Sequence, residues 1–234
     1  MNKITKSNTK KYNKTGYPYL ADAAERIRIK KVIDLLKKHL KGKKSNKLLD
    51  IGCGDGTISI HFLKLGFEVY GIDAAIKALE KAGQKEIKTK LGDFEEKLPY
   101  KNDSFDVVFA GEVIEHIFDV KNFLSEIHRI LKKNGILILT TPNLASLEDR
   151  IKFLFGINPT HVTPVHEYLH FHIRPFTKYS LKKTLTENGF KIEKITSNVF
   201  NLNIFSSKYF LFSETLAKLL PGLSWNLVVE ARKK

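Results

Sequence analysis

Between Leu48 and Pro142, short apolar runs alternate with runs of helical periodicity, and glycines punctuate the changes. Leu48–Cys53, Glu68–Ile72, Ile87–Leu91, Phe105–Ala110 and Ile136–Thr140 are expected as strands. Thr57–Leu65 before Gly66, Ala75–Ala82 before Gly83, and Val120–Leu131 with Gly135 beyond are expected as helices. Strand and helix alternating at this spacing predicts an α/β fold, a doubly wound parallel sheet with helices on both faces. Such sheets bind ligands at the carboxyl ends of their strands, near the switch point in strand order.

The flanks are read from the same signals. Ile29, Val32, Ile33, Leu36 and Leu40 share one helical face, predicting a helix from about Ala21 that stops at Gly42. Residues 1–16 are polar and rich in Lys and Asn, a loose tail or lid. Beyond Pro142 the rhythm breaks. Residues 144–176 hold four histidines and three prolines and are read as an inserted cap. Ser180–Glu187 is expected as a helix, Phe190–Thr196 and Trp225–Ala231 as strands, and Asn203–Leu220 as a second, helical insert. The chain divides into a basic lid and helix over 1–44 and one domain over 45–234, with caps at about 144–178 and 199–222.

Charge and cysteine content narrow the setting. Residues 1–47 hold 15 Lys+Arg against 3 Asp+Glu, residues 48–149 hold 12 against 17, and residues 150–234 hold 13 against 5. An acidic middle flanked by basic ends suits either a solvated lysine-rich surface or an anionic partner: a membrane surface, a phosphorylated substrate or nucleic acid. The single cysteine, Cys53, excludes an internal disulfide and suits a reducing, cytoplasmic setting. No apolar stretch approaches the roughly eighteen residues of a membrane span. The first residues, MNKITKSNTKKYNK, lack the apolar core of a secretory signal.

The chemistry concentrates where the sheet should open. In LLDIGCGDGTI, Gly52, Gly54 and Gly56 lie at the turn from the first strand to the first helix, where a ligand can rest on backbone amides. The G-x-G-x-x-G pattern of dinucleotide enzymes would need a glycine at Thr57. Asp50 precedes the first glycine by two residues, where it attracts a cation and opposes a pyrophosphate. Asp73 ends the second strand, placed for ribose hydroxyls, and Asp93-Phe94 follows the third, placed for an adenine.

D-I-G-C-G-D-G, G-I-D, G-D-F, L-P-Y-K-N-D-S-F-D-V-V, E-V-I-E-H-I and L-K-K-N-G-I-L-I-L-T-T-P-N together resemble class I S-adenosylmethionine-dependent methyltransferases. In motif the chain is most similar to the ubiquinone-biosynthesis O-methyltransferase-like group and to methyltransferase types 11 and 23. The resemblance is close over about residues 45–145. It implies a Rossmann-like seven-stranded mixed sheet of order 3-2-1-4-5-7-6, strand 7 antiparallel. It implies S-adenosylmethionine as cofactor, held by Asp50, Gly52, Cys53, Gly54, Gly56, Asp73, Ala74, Asp93, Phe94, Gly111 and Glu112. By the same resemblance Glu112, Glu115 and His116 are candidate magnesium ligands, spaced to share one face of a helical turn. Without metal, His116 is a candidate general base and the motif is otherwise pocket scaffolding.

The caps carry the remaining candidates. His161, His166, His170 and His172 lack a standard zinc spacing, and His172-Ile-Arg-Pro-Phe-Thr resembles a family segment with a substrate-facing histidine. His170 and His172 are therefore candidate bases, and Arg174 a partner for an anionic substrate group. Ile151–Phe155 and Asn203–Leu220 combine aromatic and aliphatic residues with lysines, as interfacial segments, acceptor lids or dimer contacts do. The expected activity is methyl transfer to a small-molecule or lipid-like acceptor, at the oxygen of a phenol, quinone or sugar. RNA methylation and non-catalytic cofactor binding are the alternatives. The N-terminal segment, with Tyr12, Tyr17 and Tyr19, is expected to close over the site, on a cytoplasmic monomer or homodimer that docks peripherally on membrane.

Overall fold

Five parallel strands carry the apolar runs: β1 (Lys47–Ile51), β2 (Glu68–Asp73), β3 (Lys88–Leu91), β4 (Phe105–Gly111) and β5 (Leu131–Pro142). The computed structural model describes residues 23–40, 46–162, 172–203 and 211–234. The sheet is completed by β6 (Phe190–Ser197) and β9 (Asn226–Lys233), in the order β3-β2-β1-β4-β5-β9-β6. β9 is antiparallel to both β5 and β6. This is the expected topology. The last strand is ninth because β7 (Phe200–Leu202) and β8 (Leu211–Ser213) form a separate hairpin.

Side-chain alternation along the strands builds two cores. Leu48, Val69, Val107, Phe109 and Ile138 face the helices α1 (Ala23–Leu36), α2 (Ser59–Lys64) and α3 (Ile76–Gly83). Their neighbours Leu49, Ile72, Val108 and Leu139 face α4 (Val120–Ile130) and α6 (Lys178–Glu187). Both faces are apolar because both are covered. β5 begins at Leu131, ahead of the expected Ile136, because Leu131 pairs with Phe105 before a shift in register.

The inserts differ from expectation in one respect. The first contains α5 (Leu147–Leu154), whose first turn is capped by Ser146 accepting from Asp149 N at 3.1 Å. The second is not helical throughout: residues 211–213 pair with 200–202, and helix α7 spans only Glu214–Leu219. Strands of three residues leave no alternation to read. α5 and α7 both contact β7, so the inserts form one layer. Because β5 and β6 run parallel, that layer lies over the carboxyl edge of the sheet.

The turn after β1 needs its glycines. Gly52, Gly54 and Gly56 have φ of 76°, 54° and 77°. A Cβ on Gly56 would lie 2.4 Å from Ile87 Cδ1 and 3.2 Å from Ala82 Cα, whereas one on Gly66 (φ 96°) would meet nothing within 4 Å. Gly66→Ala therefore carries backbone strain alone, about 1 kcal/mol, and Gly56→Ala adds overpacking for a total of about 2–4 kcal/mol. Urea unfolding of the two variants measures the difference; equal losses would mean that the Gly56 turn relaxes without cost.

Candidate active site

The turn between β1 and α2 is stapled to the end of β2. Gly52 N and Cys53 N donate to Ile72 O at 2.8 and 3.3 Å, and Gly54 N donates to Asp73 Oδ2 at 2.9 Å. Asp73 Oδ1 accepts from Ala75 N at 2.8 Å, where α3 begins. Cys53 packs on Gly71, where a Cβ would lie 2.6 Å from its Sγ, and burial pushes its thiol pKa up. Beneath the turn Asp50 is buried and accepts from Ser59 Oγ at 2.5 Å. Burial pushes its pKa up to about 7, and the Asp73 charge adds to the effect.

Phe94 and Val113 stand beside the turn: a Cβ on Gly52 would lie 4.0 Å from Phe94 Cε2 and 2.9 Å from Val113 Cγ2. Asp93 Oδ1 accepts from Glu95 N at 3.1 Å, and Glu95 Oε1 accepts from Phe118 N at 3.0 Å. The loops after β3 and β4 are thereby joined. Together the ends of β1, β2, β3 and β4 present acids and bare backbone on one edge.

After β4 the chain bends sharply. Glu112 has a left-handed φ of 56°, and its N–H donates to Thr140 O at 2.9 Å. Its carboxylate accepts from Thr140 Oγ1 at 2.9 Å and Asn226 Nδ2 at 2.8 Å, and lies 3.8 Å from Arg28 Nη1. Arg28, fully buried on α1, also donates to Thr140 Oγ1 at 2.7 Å and pairs with Glu25 at 2.5 Å. A 3₁₀ turn over Ile114–His116 then places Glu115 and His116 elsewhere. Glu115 is buried, its Oε2 accepting from Thr141 Oγ1 at 3.0 Å. Burial, then the Glu112 charge, hold its pKa well above the usual carboxylate range.

His172 completes the group. Arg174 N donates to Glu115 O at 3.0 Å, which brings the His172 segment against the turn. The His116 and His172 rings lie 4.8 Å apart, edge to face, and His161 stacks behind His172 at 6.1 Å. Trp225 Nε1 donates to His161 Nε2, and burial pushes His161 down to about 4, so that ring is neutral. Glu115, His161, His172, Pro142, Leu144 and Pro175 line a small cavity.

A sequence profile described as a methyltransferase domain matches residues 23–195. The chain belongs to that methyltransferase family. It is a class I S-adenosylmethionine-dependent methyltransferase. The ubiquinone biosynthesis O-methyltransferase of Rickettsia typhi is 29% identical across 96% of this chain and 97% of its own length. That of Rickettsia prowazekii is 30% identical across 82% and 77%. Among solved structures, a possible histamine N-methyltransferase of Thermotoga maritima superposes with a TM-score of 0.67 at 21% identity, over the whole of both chains. The [4+2]-cyclase SpnF does so with 0.59 at 17%, over 87% of this chain and 80% of its own. These likenesses show the shared fold, which carries more than one chemistry.

For the methyltransferase, the expected cofactor residues Asp50, Gly52, Cys53, Gly54, Gly56, Asp73, Ala74, Asp93, Phe94 and Gly111 fall along one edge of β1–β4. The expected magnesium set is divided. The left-handed turn at Glu112 removes it from the helical spacing assumed for Glu112, Glu115 and His116 and commits it to Thr140, Asn226 and Arg28. His166, His170 and the N-terminal tyrosines lie outside the described residues. Arg174 is occupied on Phe118, its guanidinium 5.2 Å from the ring centre and donating to Phe118 O at 3.0 Å. Arg28 escaped the sequence reading, although it stands four residues before Val32 on the apolar stripe of α1, a signal for a buried cation.

With Asp50 as a cofactor residue, its raised pKa predicts that cofactor affinity depends on pH. A cationic ligand favours ionised Asp50, so S-adenosylmethionine binding weakens as falling pH protonates it. Calorimetric titration should give about ten-fold weaker binding at pH 6 than at pH 8. Ser59→Ala removes a hydrogen bond that lowers this pKa and should move the inflection upward; a pH-independent affinity would refute the assignment.

Proposed function

We propose that this methyltransferase moves the methyl group of S-adenosylmethionine to a hydroxyl of a small phenol- or quinone-like acceptor. The observation that carries the reading is the His116–His172 imidazole pair beside buried Glu115, at the carboxyl ends of β4 and β5. The sulfonium makes the methyl carbon electrophilic without a covalent protein intermediate. The acceptor oxygen attacks that carbon, and the bonding pair of the C–S bond leaves with sulfur. The hydroxyl proton passes to an imidazole of the pair, which is the general base. Asp50, Asp73 and Asp93 hold the cofactor, and the inserts exclude water while the three reacting atoms align.

Two further facts support this acceptor class. The Rickettsia relatives carry names for O-methylation in ubiquinone biosynthesis. The insert layer exposes Phe153, Leu154, Phe155, Phe212, Leu219 and Leu220 at the same edge of the sheet. Beside α7, Lys31, Lys38, Lys194 and Lys218 line one cavity. Apolar side chains next to cations suit peripheral docking on an anionic membrane, from which an apolar acceptor enters. Among the described residues, no helix is long and apolar enough to cross a membrane.

With methyl-labelled cofactor, a catechol bearing an apolar tail should accept label and single-stranded RNA should not. His116→Gln should lower kcat about 10²-fold or more while cofactor affinity stays within about two-fold. Label entering RNA, or a full rate in His116→Gln, would remove the reading.

A further inference from the structure

We propose that Trp225 and His161 are positioning residues that fix His172 in the tautomer with its proton on Nδ1, leaving Nε2 as the atom of that ring able to take the acceptor's proton. The proposal rests on the reading of the His116–His172 pair as general base and names what orients it. Trp225 Nε1 donates to His161 Nε2, and His172 Nδ1 lies 3.1 Å from His161 O. An indole N–H only donates and a carbonyl only accepts, so each bond has one possible sense. In a neutral imidazole the hydrogen bond at one nitrogen decides which nitrogen keeps the lone pair.

Three segments distant in sequence meet here, and each is anchored through its backbone. Trp225 precedes β9; its N–H donates to Val199 O at 3.0 Å and its O accepts from Asn143 N at 2.8 Å. The His161 turn is tied to the start of α5, where buried Asp149 accepts from Thr160 N at 2.7 Å and from Ser146 Oγ at 2.9 Å. Arg174 N holds the His172 segment on Glu115 O at 3.0 Å. The rings then follow one another: Trp225 and His161 at 5.9 Å, His161 stacked on His172 at 6.1 Å, and His172 edge to face with His116 at 4.8 Å.

A histidine that served packing alone would not be built this way. With Nε2 committed to Trp225, His161 carries its proton on Nδ1, which is buried without a hydrogen-bond partner among the described residues. An unmet buried N–H costs stability, so packing by itself favours an apolar ring at 161. What the imidazole adds is an acceptor for the indole, and that bond holds the 161 carbonyl opposite His172. Burial also keeps the His161 ring neutral, so it sets no fixed charge against the imidazolium that forms when His172 takes a proton. A base held in one tautomer by a third group works better than one free to sample both.

Trp225 is the only tryptophan of the chain, so growth on benzothienylalanine replaces its N–H with sulfur at that one position and keeps the fused ring. At about pH 8, where imidazole is neutral, ¹⁵N NMR of the full chain without acceptor should show His172 as the Nδ1–H tautomer, and sulfur at 225 should turn it into a mixture. With the apolar-tailed catechol as acceptor, kcat should then fall about ten-fold while both KM values stay within about two-fold. His161→Phe, which keeps a ring and the carbonyl, should match that loss, and the two changes together should cost no more than either. Circular dichroism checks that each variant is folded. An Nε2–H tautomer at His172, additive losses, or full kcat in these variants when His172→Gln is slow would overturn the proposal. Full kcat in His172→Gln would instead remove the general base, and the spectra, which need no turnover, then decide the positioning on their own.

Discussion

Carboxyl groups gathered at the carboxyl edge of the sheet are the constraint on which the rest of the site depends. Asp50, Asp73 and Glu115 are buried there, and Glu112 is partly so. Placing carboxyls out of water raises their proton affinity unless positive charge or hydrogen-bond donors meet them. Arg28 meets Glu112, the turn amides meet Asp73, and Ser59 meets Asp50. What those groups leave uncompensated favours a cationic guest, and a sulfonium nucleoside with an ammonium group is one. The glycine turn leaves backbone without side chains beside these acids.

Arg28 links this edge to the N-terminal helix. Its side chain reaches Thr140 on β5 while its pairing with Glu25 stays on α1, so the seating of the helix and the position of Glu112 are one problem. A buried arginine left without its carboxylates would carry a large desolvation cost, which makes α1 docking conditional on the site's acids. Lys31, also on α1, donates to Ser197 O and Asn198 O at 2.6 and 2.8 Å, where β6 ends and the second insert begins. The helix thus ties together the carboxyl edge of the sheet and the start of the second insert.

The legibility of all this in the sequence follows the range of the forces involved. Strands such as Phe105–Gly111 could be read because both faces are buried and the apolar run is continuous. The glycines could be read because left-handed backbone at 52, 54 and 56 excludes nearly every other residue. The β7–β8 pairing could not, since three-residue strands are defined by partners ten residues away rather than by periodicity. The turn at Glu112 was hidden for a related reason. A left-handed glutamate is held by long-range bonds to Thr140 and Asn226, and nothing local in A-G-E-V announces it. His172 was legible as a candidate but not as a neighbour of His116, because the Arg174–Glu115 contact that joins them spans the first insert.

That hidden turn separates two glutamates that the motif writes three residues apart. Glu112 faces Arg28, Thr140 and Asn226, where its charge is met; Glu115 is buried beside His116 and His172, with Thr141 as its hydroxyl donor. The same side chain is given opposite electrostatic surroundings, and divergent surroundings are how a site obtains different roles from like groups. Glu112 is tied to α1 and the sheet through Arg28, Thr140 and Asn226. Glu115 stands beside the histidines, and burial and then the Glu112 charge hold its pKa well above the usual carboxylate range. A family motif transferred by spacing alone would assign both to one metal. The backbone at Glu112 gives them different neighbours, α1 and the sheet for Glu112 and the histidines for Glu115.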